Sequence, residues 1–290
     1  KDLRLQIPVA IKVLPREYAI QAQSQGRFER EAQRLAQLRH PNIVVVHDYA
    51  CENSVCYIVS DYIPGPTLRT LLGQRSGPLP QEQALAYIWQ IGGALQYAHD
   101  NKIIHRDVKP SNILIDERDG RAVLVDFGLA RLTEQENLEV TTEEHAAPGT
   151  PAYMSPEQCL SQPVDQRTDI YSLALVIYEL LTGRHPLLEE GDTSATIRRK
   201  QVTQIPPSLQ LVGYSRRVND VLSKALAKEP ETRYATISAL IIALEEALGE
   251  SSSREPIWRA LVKLGARFQN VLGTNISMPT FWLIIEAGVL

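Results

Sequence analysis

Cysteine is scarce in this sequence, with three in 290 residues, at positions 51, 56 and 159. So few, and an odd number, do not make a disulfide framework; they fit a reducing compartment. Cys51 and Cys56 have no second cysteine or histidine pair at finger spacing, so packing rather than zinc binding is their expected role. Basic excess is missing too. The net charge is -4 and the pI about 5.9, so no global positive field draws nucleic acid or an anionic membrane. There is no internal repeat, no low-complexity tract and no opening signal peptide. The chain does not begin with Met, and no glycine precedes Gly26. Lys1 leads at once into strand-like sequence, so the chain reads as a piece of a longer protein.

What is present is ordinary for a soluble globular protein. Hydrophobic residues make up 44% and charged residues 22%, which excludes wholesale disorder, collagen and a coiled coil. The length suits one large domain or two lobes sharing a cleft. The first part has mixed character: a β-rich run from Pro8 to Leu14, a helix over 27–39 ended by His40-Pro41, and strands at Ile43 to Val46 and Tyr57 to Val59. Pro64-Gly65-Pro66 then punctuates the chain. Beyond it the periodicity predicts helices near 81–100, 169–181, 216–227 and 236–248. A short hairpin interrupts them, Ile113 to Ile115 against Ala122 to Val125, with Asp119-Gly120 in the turn. The expected division is a small lobe over 1–63, a helical lobe over 64–248 and a tail over 249–290, with a ligand cleft between the lobes.

Within the predicted first helix, Phe28, Ala32, Leu35 and Leu38 form an apolar stripe, and Glu31 lies inside it. A carboxylate on a buried face is costly unless paired. It either reaches outward from the rim or meets a cation on a neighbouring strand, and Lys12 is the obvious one. Further on stands His105-Arg106-Asp107-Val108-Lys109-Pro110-Ser111-Asn112, then the hairpin, then Asp126-Phe127-Gly128. Asn112 enters the first hairpin strand and Asp126 follows the second, so antiparallel pairing sets these ends side by side. An amide oxygen and a carboxylate there suit Mg²⁺, which keeps waters and shares substrate phosphates. Asp107, in the same loop, is near enough to orient a hydroxyl. Taken singly, each of these residues reads equally as a capping or turn residue.

Together they resemble a eukaryotic-like (Hanks-type) protein kinase over residues 1 to about 248. The motifs are Val9-Ala10-Ile11-Lys12, Glu31, the His-Arg-Asp loop with Asn112, and Asp-Phe-Gly. They continue with Gly149-Thr150-Pro151-Ala152-Tyr153-Met154-Ser155-Pro156-Glu157, Asp169-Ile170-Tyr171-Ser172-Leu173, and Arg233 where the family pairs an arginine with Glu157. The resemblance implies an α+β fold of two lobes, a small β-rich one, incomplete here, and a larger helical one. It implies MgATP, with Mn²⁺ as an alternative, and transfer of the γ-phosphoryl group to Ser or Thr of protein substrates. Residue by residue, Lys12 held by Glu31 would touch the phosphates. Asp126 and Asn112 would bind metal, Asp107 would orient the hydroxyl, and Lys109 would neutralise the transferred group. Ala10, Leu114, Asp61 and Ile63 would surround adenine. Leu35, Val46, His105 and Phe127 would stack as a spine, and Ser60 would stand as the small gatekeeper behind the adenine.

Arg106 would receive a phosphate on the activation segment, where Thr133, Thr141 and Thr142 are the candidates; Thr150 marks the serine/threonine class. The family's glycine-rich loop has no counterpart before Lys12, which predicts a poorly active fragment of an active parent. The wording of the motifs looks bacterial. A dimer phosphorylating itself in trans is compatible with this reading. A catalytically impaired interaction module is the alternative, and a small-molecule phosphotransferase a third reading. In the tail, Arg254, Arg259, Lys263 and Arg267 outnumber Glu255 and Glu286, and an apolar run starts at Phe281. That run reads either as the beginning of a transmembrane helix, which would leave the kinase domain cytoplasmic in a single-pass parent, or as a helix packed on the kinase.

Overall fold

A computed structural model describes residues 6–14, 22–52, 55–75, 77–127, 150–209 and 213–249. The first lobe is an antiparallel sheet of β1 (Val9–Val13), β2 (Val46–Glu52) and β3 (Val55–Asp61) in the order β1-β3-β2. Helix α1 (Ala22–Leu35) packs on β2, and its Phe28, Ala32 and Leu35 are buried. The helix starts earlier and ends earlier than its periodicity predicts. Its end tightens into i→i−3 bonds, Gln37 N to Arg34 O and Leu38 N to Leu35 O, before His40-Pro41 is reached. The strand expected from Ile43 begins only at Val46. Residues 42–44 instead cross to the second lobe, where Leu124 N donates to Asn42 O and Val44 N to Leu124 O.

The cysteine expectation needs correction. Cys51 and Cys56 face each other across β2 and β3 and are joined as a disulfide, while Cys159 is free. Scarcity excludes a framework of bridges; it does not exclude one bridge between strand neighbours.

The second lobe is helical, as expected. It contains α2 (Leu68–Gly73), α3 (Gln81–Asp100), the hairpin β4 (Ile113–Ile115) and β5 (Ala122–Leu124), then α4 (Pro156–Cys159), α5 (Arg167–Thr182), α6 (Ser194–Thr203), α7 (Arg216–Ala225) and α8 (Ile237–Gly249). Side-chain caps start several of these. Thr67, Thr193 and Ser215 each accept from a main-chain N–H one turn on, and Ser155 forms a capping box with Gln158. Every residue from Thr168 to Leu181 is buried, so α5 is the post around which the lobe is assembled. Each fully buried Leu or Ile on it contributes about 1.5–3 kcal/mol. Gly92 lets α3 approach α8, since a Cβ there would meet the Ile241 side chain at 2.9 Å.

The linker between the lobes lies along β4. Ile115 N donates to Pro66 O and Glu117 N to Pro64 O, both at 2.9 Å. Between them Gly65 has φ 132° and no room for a Cβ, which would run into the Ile115 carbonyl oxygen. Among the described residues no helix is long and apolar enough to cross a membrane. The tail over 250–290, with its apolar run, lies outside the described residues.

Candidate active site

The loop before β4 and the residues after β5 meet as antiparallel pairing requires. Val125 N donates to Asn112 O at 3.0 Å, which brings Asn112 beside the segment carrying Asp126. Asn112 is buried and directs both amide hydrogens to Asp107, at 2.9 Å to its carbonyl and 2.8 Å to Oδ2. The amide oxygen is thereby turned the other way. Lys109 Nζ lies 2.7 Å from Asp107 Oδ2, so an acid and a base share one end of the loop.

Lys12 reaches across from β1. Its Nζ pairs with Asp126 Oδ1 at 2.9 Å. Glu31 belongs to α1, but its side chain lies outside the described residues, so the expected Lys12–Glu31 pair does too. Asp126 has φ 65° and Arg106 φ 67°, left-handed backbone that non-glycine residues adopt at a cost of about 1–3 kcal/mol. Such strain persists where the surroundings over-determine it.

The surroundings of Arg106 are visible. Asp169, fully buried in the first turn of α5, accepts from Arg106 N at 2.7 Å, from His105 N at 2.8 Å and from His99 Nε2 at 2.7 Å. Burial pushes the Asp169 carboxyl up, but the His99 bond and the main-chain donor of His105 outweigh it and hold it below the usual range. His105 donates Nε2–H to Val125 O and accepts from Asp107 N at Nδ1, a neutral tautomer, and burial lowers its pKa accordingly. Its ring packs on Phe127 with centroids 4.4 Å apart. Leu35, Val46 and Phe127 line one small cavity, about 50 Å³, whose wall includes Lys12, Asp126 and Ser60.

The residues expected around a nucleotide base lie on β1, at and just after the end of β3, and on β4. Ala10 pairs with Ser60 and Val9 with Asp61 across β1 and β3. Asp61 N donates to Val45 O, and its carboxylate meets His47 Nε2 at 2.6 Å. Ile63 is buried beyond it, and Leu114 on β4 is half-buried and bridged to Thr67. Thr133, Thr141, Thr142 and the side chain of Thr150 lie outside the described residues.

At the end of the activation segment, Glu157 pairs with Arg233. Ser155 bonds Thr168 Oγ1 at 2.6 Å and caps α4. One cluster escapes sequence reasoning. Tyr153 OH bonds Glu179 of α5, Arg69 of α2 reaches Glu179 Oε1 at 3.0 Å and Tyr153 OH at 2.5 Å, and the His185 ring packs edge-on to Tyr153. Burial, then the Glu179 charge, raises the Tyr153 pKa well above its ordinary value, so it remains a phenol. A signal existed. Asp169 and Glu179 are carboxylates on a helix buried all round, where a charge is costly unless it is paired.

A family model described as "Protein kinase domain" matches residues 3–243. The serine/threonine-protein kinase PknB of Mycobacterium leprae is 41% identical over 244 residues, covering 83% of this chain and 39% of that protein. PrkC of Bacillus subtilis is 38% identical over 238 residues, covering 81% and 36%. This chain therefore spans well under half the length of these relatives. The kinase domain of Mycobacterium tuberculosis PknI superposes with a TM-score of 0.65 at 31% identity, covering 83% of this chain and 85% of that one. The two lobes, the cleft and its motifs share one origin: the chain belongs to the protein kinase domain family, among relatives that are bacterial serine/threonine kinases.

Proposed function

We propose that this chain transfers the γ-phosphoryl group of ATP to Ser or Thr hydroxyls of proteins. The observation that carries the reading is the convergence of Lys12, Asp107, Lys109, Asn112 and Asp126 on one cleft between the lobes. Asp107 orients the attacking hydroxyl and takes its proton. Lys109, beside it, faces the transferred group and offsets its charge. The phosphoryl group leaves ADP and joins the hydroxyl oxygen; catalysis is positioning and charge stabilisation. Lys12 leaves its pairing with Asp126 for the phosphates of ATP, and Glu31 on α1 is its partner from the helix.

The donors present fit a metal. The Asp126 carboxylate and the Asn112 amide oxygen, whose nitrogen is committed to Asp107, are hard oxygens of the kind Mg²⁺ or Mn²⁺ takes. A bound Mg²⁺ neutralises charge on the phosphates. Adenine lies between Ala10 and Leu114 and bonds the main chain at Asp61 and Ile63. The small lobe over 1–63 and the helical lobe over 64–248 are the two working units.

Regulation runs through the activation segment. Phosphorylated Thr141 or Thr142 pairs with Arg106 and orders the segment, with Thr150 a further regulatory residue near its end. Autophosphorylation in trans within a transient dimer supplies that phosphate. The tail over 249–290 leads towards a membrane in the parent, leaving this domain on the cytoplasmic side.

Mass spectrometry after incubation with MgATP and a generic protein substrate, against small hydroxyl compounds, tests the reading. Phosphoserine or phosphothreonine in the protein substrate supports it. Phosphorylation of the small compounds alone, or no transfer from a chain extended at its N-terminus, would overturn it. Phosphopeptide mapping that finds neither Thr141 nor Thr142 modified in the active enzyme would refute the regulatory part.

A further inference from the structure

The hairpin of β2 and β3 carries chemistry that phosphoryl transfer does not use. Cys51 and Cys56 are opposite one another in the register. Leu14 N donates to Cys56 O at 2.7 Å, so the main-chain groups of Cys56 are turned towards β1 and away from β2. The two cysteines are thus a non-hydrogen-bonded pair, the position at which facing side chains on adjacent antiparallel strands come closest. Their access to solvent differs. Cys51 is exposed, whereas Cys56 is 0% exposed and belongs to the core.

The same strand grips α1. Tyr49, two residues before Cys51 and on the same face of β2, donates its hydroxyl to Glu29 Oε1 at 2.8 Å and accepts from Gln33 Nε2 at 3.0 Å. Glu29 and Gln33 flank Glu31 on that helix. Whatever fixes this end of β2 against β3 therefore fixes the strand that holds α1.

We propose that Cys51 and Cys56 form a reversible thiol-oxidation site whose oxidant is a hydroperoxide. The exposed Cys51 thiolate attacks the peroxide O–O bond, giving a sulfenic acid and releasing water from hydrogen peroxide, or an alcohol from an alkyl hydroperoxide. The Cys56 thiol then attacks the Cys51 sulfur, forms the S–S bond and expels water. A dithiol reverses the change by two exchange steps, returning both thiols and leaving as its own disulfide. The structure is the oxidised form. Closing this bond pins β2 to β3 beside Tyr49, and so steadies α1.

The test uses the full chain and needs no phosphoryl transfer, so it stands or falls apart from the proposed activity. The protein is reduced with dithiothreitol, desalted, exposed to hydrogen peroxide and alkylated. In the wild type, Cys51 and Cys56 should escape alkylation in a peptide lighter by two hydrogens, while Cys159 is labelled. Cys56→Ser should leave Cys51 as a sulfenic acid captured by dimedone. Cys51→Ser should leave Cys56 oxidised at least about tenfold more slowly, because it is buried. A wild type in which both cysteines are alkylated, or equal oxidation rates in the two variants, would overturn the site. Hydrogen exchange at Tyr49 and along α1 should be slower in the oxidised than in the reduced wild type. Equal exchange in the two redox forms would overturn the link to α1.

Discussion

Glu157 and Arg233 are 76 residues apart and are joined by two parallel bonds of 2.7 Å, Nη1 to Oε1 and Nη2 to Oε2. Their side chains are 3% and 0% exposed. Thr168 supplies a further donor to Glu157, and the carbonyls of Ala227, Lys228 and Arg167 take the other guanidinium hydrogens. The pair ties the end of the activation segment to the turn before α8. Removing one partner leaves a buried charge unpaired, so Arg233→Ala should cost about 3–5 kcal/mol. Replacing both, Glu157→Leu with Arg233→Met, should cost less than Arg233→Ala alone. Denaturant unfolding of the three proteins measures this, and a single variant losing under about 1 kcal/mol would contradict the account.

Lys12 and Asp126 should matter for turnover far more than for folding. Both are more than a third exposed, and their ion pair is a surface one. Asp126→Asn and Lys12→Met should lower phosphorylation by about 10²–10³ or more with little change in melting temperature. Autophosphorylation near that of the unsubstituted protein in either variant would remove them from the machinery.

Ser60 stands in the wall of the cavity lined by Leu35, Val46 and Phe127. Its small side chain leaves the way into that space open. ATP-competitive inhibitors with a bulky aromatic extension should bind the natural protein and lose at least about tenfold in affinity in Ser60→Met, the contacts of a buried ring being worth more than 1.4 kcal/mol. Equal inhibition of both proteins would place the extension elsewhere.

His185 supplies a pH dependence. It donates Nε2–H to Ala152 O and accepts Leu187 N–H at Nδ1, a neutral ring held on both sides. Burial lowers its pKa from 6.5 to about 4. The unfolded chain then binds a proton before the folded one does. Stability should be full above pH 6.5 and fall as the pH drops towards 4, by about 2 kcal/mol between neutrality and pH 5. His185→Gln should flatten that part of the profile. An unchanged slope in the variant would assign the acid sensitivity to other groups.

Much of this was legible in the sequence, for reasons that differ from place to place. The helix over 81–100 was exact because α3 buries one face regularly along its length. The convergence of Asn112 and Asp126 followed from hairpin geometry alone. By contrast, α6 buries only Ile197 and Gln201, too few for a stripe, and α2 is under two turns long; neither carries a periodicity that the sequence shows. Lys12 could be assigned a carboxylate partner from the α1 stripe, but its contact with Asp126 crosses between the lobes, where local periodicity carries no information. Arg69, Tyr153 and Glu179 are distant in sequence for the same reason. The Cys51–Cys56 pair needed the strand register, and the strands were expected to be shorter than they are.

The hairpin of β4 and β5 is laced to the rest of the chain on both flanks, by Pro64 and Pro66 on β4 and by Asn42 and Val44 on β5. These four main-chain bonds lie along the boundary between the lobes, so they act as an axle. A rotation of the lobes about the hairpin would keep all four bonds, whereas sliding would break them together. Asn112 and Asp126, next to that axle, would move little in such a rotation. Lys12, out on β1, would move more, so its distance to Asp126 would gauge how far the two lobes have turned.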